Sequence, residues 1–99
     1  MSTVYVSVRN SDDKLSQRDW AEYVHTVFRF LRNEAHHVHG EWHSAPNSEF
    51  QNACICVEFA PDAHLDAVRE TLAHIAEQFE QDAIAWAVAV STQMIGPRK

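Results

Sequence analysis

Apolar residues recur along this chain with two periods, and the switches between them outline six elements. From Thr3 to Arg9, Val4, Val6 and Val8 alternate with Tyr5, Ser7 and Arg9, the period of two of a half-buried strand. Asn10-Ser11-Asp12-Asp13 follows with turn chemistry. Trp20, Tyr23, Val24, Val27, Phe28 and Leu31 then form one stripe at helical spacing. Ser16 is placed to cap this helix, and Asp19 completes a capping-box spacing with Asp in place of the usual Glu. The helix is expected to run to about Ala35. His37 to His43 returns to a period of two. Val38, Gly40 and Trp42 alternate with His37, His39, Glu41 and His43, and Gly40 weakens or bends the strand. After a connection containing Pro46-Asn47, Phe50 to Phe59 reads as a strand. Ala53, Ile55, Val57 and Phe59 mark one side, and Asn52, Cys54, Cys56 and Glu58 the other. Pro61-Asp62 is expected to open a second helix, whose buried stripe is Leu65, Val68, Leu72, Ile75, Ala76 and Phe79, with Gln81 on its wet face. Ala83 to Ser91 gives the last strand, with Ile84, Trp86, Val88 and Val90 on one side and alanines on the other.

The element order β-α-β-β-α-β is the split βαβ, or ferredoxin-like, pattern of an α+β sandwich. Right-handed crossovers put both helices on one face of a four-stranded antiparallel sheet with strand order 4-1-3-2. The core is then the two helix stripes with Val4, Val6, Val8, Ile55, Val57, Phe59, Trp86 and Val88, joined by Trp42. Residues 1–99 form a single domain, and residues 92–99 read as a flexible, basic C-terminal tail. The ferredoxin-like order is unspecific as to activity.

Composition narrows the partners. Eight basic against 14 acidic residues give a formal charge of −6. This speaks against binding nucleic acid or an anionic membrane surface, and it suits a basic protein partner. From Glu58 to Asp82 there are seven acids and one base, Arg69, so the second helix carries most of the negative field. No apolar run approaches the length of a membrane span, and Met1-Ser2-Thr3 leads directly into a strand rather than a secretion signal. With two cysteines, Cys54 and Cys56, spaced too closely on one strand to bridge, a cytoplasmic location is expected.

Chemistry is concentrated at one stretch. Four of the seven histidines fall within His36–His43. Strict alternation puts His37, His39, Glu41 and His43 on the sheet face that the helices leave open. Tyr5, Arg9, Cys54, Cys56 and Glu58 share that face. One hairpin register sets His37 opposite Glu58, His39 opposite Cys56 and Glu41 opposite Cys54, and a register shifted by two sets the histidines opposite the cysteines. Either brings imidazoles and thiols together, so His37, His39, Cys54 and Cys56 are candidate ligands for zinc or another transition metal. Their spacing matches no established metal motif. Nucleophile elbows, phosphate-binding glycine loops and paired carboxylates are lacking, so no catalytic residue is assigned. A His37 or His39 base oriented by Glu58, an anion held by Arg9, or a Cys56 thiolate are the options for a cofactor-free enzyme of the dimeric α+β barrel type. The open face has few charges for its area, two thiols and a row of alanines, Ala85, Ala87 and Ala89. A second copy laid sheet against sheet is its simplest cover. The sequence thus favours a small acidic protein-interaction module of inhibitor, immunity or regulatory type that forms a homodimer, with a metal-binding protein and a small enzyme as alternatives.

Overall fold

A computed structural model describes residues 1–98. The elements are β1 (Ser2–Arg9), α1 (Gln17–Glu34), β2 (His37–His43), β3 (Asn52–Phe59), α2 (Leu65–Gln78) and β4 (Ala85–Val88), with a single 3-10 turn at Ser11–Asp13. The four strands form one antiparallel sheet in the order β2-β3-β1-β4, which is 4-1-3-2 read from the other edge. This is the expected α+β, ferredoxin-like arrangement.

Each predicted helix forms for the reason its sequence suggests. Ser16 caps α1: its Oγ accepts a hydrogen bond from the Asp19 amide at 3.1 Å. The α1 stripe packs inward, with Tyr23, Val24, Val27, Phe28 and Leu31 buried and Trp20 at the edge of the core. In α2 the buried residues are Val68, Leu72, Ile75 and Ala76. The helix starts later than Pro61-Asp62 suggests. Residues 60–65 first make two tight turns, with the Ala63 amide donating to the Ala60 carbonyl and that of Leu65 to Ala63. α2 ends in a double closure: the Glu80 amide donates to the Glu77 carbonyl and that of Gln81 to Ala76. Glu80 takes the left-handed backbone (φ 55°) that glycine usually supplies there.

The helix side of the sheet carries Val4, Val6, Val8, Ala53, Ile55, Val57 and Phe59, all buried. Phe59 stacks on Trp86, and the Arg69 guanidinium lies over the same indole, 5.4 Å from the ring centroid. Three expectations fail at the periphery. Gln81 is buried rather than wet, because its Oε1 accepts from the Ser11 amide at 2.7 Å and ties the β1 turn to the end of α2. Val88 is half exposed, at the last position of β4, a four-residue edge strand. Phe50 lies outside β3 and in solvent, because the strand begins at Asn52. Residues 89–98 have no helix or strand; Lys99, the last residue of the expected tail, lies outside the described residues. No described helix is long and apolar enough to cross a membrane.

Candidate functional site

The histidine strand departs from simple alternation. β2 pairs with β3 as His37↔Glu58 and Val38↔Val57, but then as Gly40↔Cys56, Glu41↔Ile55, Trp42↔Cys54 and His43↔Ala53. His39 is an extra residue with no partner on β3, a β-bulge next to Gly40. Because side chains alternate with a period of two, one inserted residue moves everything after it to the opposite face. Neither simple register holds along the whole strand. Of the expected open-face residues, Glu41 and His43 are corrected to the helix side. Trp42, expected in the core, is turned to the open face, where it is 56% exposed.

On the helix side both displaced residues find partners. Glu41 pairs with Arg32 of α1. The His43 ring packs on Phe28 at 5.5 Å between centroids. On the open side the first half of β2 keeps its predicted place. The His37 and His39 rings meet edge to face at 4.8 Å. His39 Nε2 lies 3.2 Å from Glu58 Oε1. This cluster of two imidazoles and one carboxylate sits at one end of the face.

The middle of the open face is different. Tyr5 stands opposite Cys56 on one side and Ala87 on the other; Ser7 stands between Cys54 and Ala85. Both thiols are free and half-buried. The Cys56 thiol holds the Tyr5 phenol above its usual range, through hydrogen bonding first and the repulsion of a neighbouring thiolate second. Trp42 flanks Cys54 and no residue with a side chain beyond hydrogen flanks Cys56 on β2, since Gly40 stands there. Tyr5 is 46% exposed, so two aromatic rings on this face lie largely in solvent.

The predicted site residues therefore divide. His37, His39 and Glu58 come together. Tyr5, Cys54 and Cys56 form a second, less polar group. Arg9, opposite Asn52, is at the far end of β1 from the Thr3–Glu58 pair beside the histidines, and instead borders a depression shared with Asp12, Asp13 and Glu49. A His39–Glu58 base and an Arg9 anion holder are thus not assembled in one place. Among the described residues no three His, Cys, Asp or Glu side chains are grouped so as to hold one metal ion. Cys54 is opposite Trp42 rather than a histidine. What the sequence did not disclose is Trp42. A bulge beside Gly40 was signalled only by that glycine.

The fold and the open face define the class of protein: a small ferredoxin-like α+β sandwich whose uncovered sheet face bears rings and thiols. No family model matches the chain, and neither a curated protein nor a solved structure matches it significantly.

Proposed function

We propose that the protein is a small acidic interaction module that pairs with a second copy through its open sheet face and presents the acidic α2 outward to a basic protein partner. The observation that carries this reading is the exposure of Trp42 and Tyr5 beside Cys54, Cys56, Ala85 and Ala87 on a face that no element of the chain covers. Exposed apolar patches of this kind mark interaction sites. The small β4 side chains permit close approach of a second sheet, and a two-fold axis would let the same patch meet itself. The C-terminal segment adds to it. Val90, Met94 and Ile95 are each about nine-tenths exposed, so three large apolar side chains beyond β4 pack against little of the described chain. In the paired form the sheets lie inside and the helices outside, which leaves Asp66, Glu70 and Glu77 of α2 on the surface. That field favours basic partners by steering encounter.

Sedimentation equilibrium tests this. The wild-type chain should be dimeric at micromolar concentration, and Ala87→Arg, which puts a charge on the face beside Tyr5, should be a folded monomer. A wild-type monomer throughout the micromolar range overturns the pairing. For the outward face, a partner retained by wild type should be lost from Glu70→Lys/Glu77→Lys, and retention by that variant removes the acidic helix from the reading.

A further inference from the structure

The bulge that turns Trp42 outward also turns His43 toward a cleft on the other side of the sheet. A cleft of about 400 Å³ lies between α1 and the β2–β3 connection. That is within the range of small-molecule sites. One wall is apolar: Trp20, Val24 and Phe28 of α1, with Pro46 of the hairpin connection. His25 reaches the cleft from α1 and His43 from β2, and Arg32 closes one end. At the other end Gln51, itself buried, donates from Nε2 to Gln17 Oε1 at 2.8 Å and accepts from Asn10 Nδ2 at 3.1 Å, so the amides are locked in place.

The lining of this cleft differs from the rest of the protein in its lack of acids. The chain carries 14 acids against 8 bases, yet none of the residues lining the cleft is acidic. The one cation, Arg32, is oriented by Glu41 just outside the lining. A guanidinium offers five N–H groups in a planar fork, so one carboxylate does not exhaust it. Imidazoles at His43 and His25 add donors beside it. An apolar wall with donors at one end suits a flat ring that bears an acid group.

We propose that this cleft is a binding site for a small aromatic carboxylate, with its ring against Trp20 and Pro46 above the buried Val24 and Phe28, and its carboxylate at His43 and Arg32. This is independent of the pairing proposed above, because the cleft opens on the helix side of the sheet. It also gives the bulge a role: without the extra residue at His39, His43 would stand on the opposite face and the cleft would lose one of its two imidazoles.

The test is an amide-shift titration of the ¹⁵N-labelled full chain with 2-naphthoate, and with 2-naphthylmethanol as the neutral match. Saturable shifts are expected at Val24, His25, Phe28 and His43, with the alcohol bound roughly tenfold more weakly for want of a charge-assisted bond. Arg32→Gln should weaken naphthoate by a similar factor. Ala21→Trp, an exposed α1 position on the cleft, should abolish the shifts while leaving the melting curve intact, which separates a blocked site from a lost fold. No saturable shift in the millimolar range, equal affinity for acid and alcohol, or shifts centred on Tyr5 and Cys56 instead would each overturn the proposal.

Discussion

The two faces of the central strands share one backbone and differ in what they bury. On the helix side of β1 and β3, Val4, Val6, Val8, Ala53, Ile55, Val57 and Phe59 are all essentially inaccessible. One residue away along the same strands, Tyr5 is exposed, and Ser7, Cys54 and Cys56 are half-buried. The chain's two tyrosines report the contrast. Tyr23, in the core, has a buried hydroxyl with no hydrogen-bond partner, and burial pushes its pKa up to about 12. Tyr5, on the open face, is raised by its Cys56 neighbour. The same direction of shift thus has two origins, desolvation in one and a specific contact in the other. The helix side is closed by the chain itself; the open side leaves Tyr5 and Trp42 exposed, and no described helix covers it.

The largest expected break in this comparison is a cavity in the core. Phe59→Ala removes a buried ring that stacks on Trp86 and should lower the unfolding free energy by about 3–5 kcal/mol in urea denaturation. Cys56→Ala, measured in the monomeric Ala87→Arg background, should cost less than about 1 kcal/mol. Equal losses would show that the open face is as closed as the core.

The two tyrosines give the next largest effect. Tyr23 holds its proton more tightly folded than unfolded, so its stabilising contribution is complete below pH 10 and disappears as pH rises from 10.0 toward 12. The loss should be about 2–3 kcal/mol across that window. Tyr23→Phe should remove that loss and, by deleting an unpartnered hydroxyl, leave neutral-pH stability unchanged or raised by up to about 1 kcal/mol. Stability measured against pH for both chains checks it; an unaltered alkaline loss in Tyr23→Phe would place the origin elsewhere.

The smallest effect tests the flip itself. A double-mutant cycle on Arg32→Met and Glu41→Gln should give a coupling of about 0.2–1 kcal/mol, weakened by salt, because the pair is partly solvated. Zero coupling at low ionic strength would mean that Glu41 does not lie on the helix side.

Much of the fold was legible because it rests on local signals that reinforce one another. The α1 stripe, its Ser16 cap and the alternation of β1 and β3 each name their elements, and the element order then limits the topology to very few choices. The ends were less legible. The start of α2 was displaced by a turn that competes with helix after Pro61, and Gln81 was drawn inside by a backbone amide 70 residues away. No local pattern carries information about such a partner.

The candidate site shows the same division within one strand. His37, His39 and Glu58 could be grouped from pattern alone, because the first residues of β2 obey the alternation. Beyond Gly40 the reading inverted: Glu41, Trp42 and His43 occupy the faces opposite to those expected. The alternation of polar and apolar residues along this short strand assigns each face only while the pairing stays regular, and the extra residue at His39 breaks it.

What the amino-acid sequence by itself determined is the set of elements, their order and which face of each central strand is apolar, since these follow from periodicity and burial. Only the tertiary structure decided that His39 bulges. A bulge is settled by the competition between pairing along β3, the attraction of Arg32 for Glu41 and the packing of His43 on Phe28, all of which exist only once α1 and the hairpin are in contact. That single extra residue gives the open face its exposed indole and the cleft on the opposite face its His43.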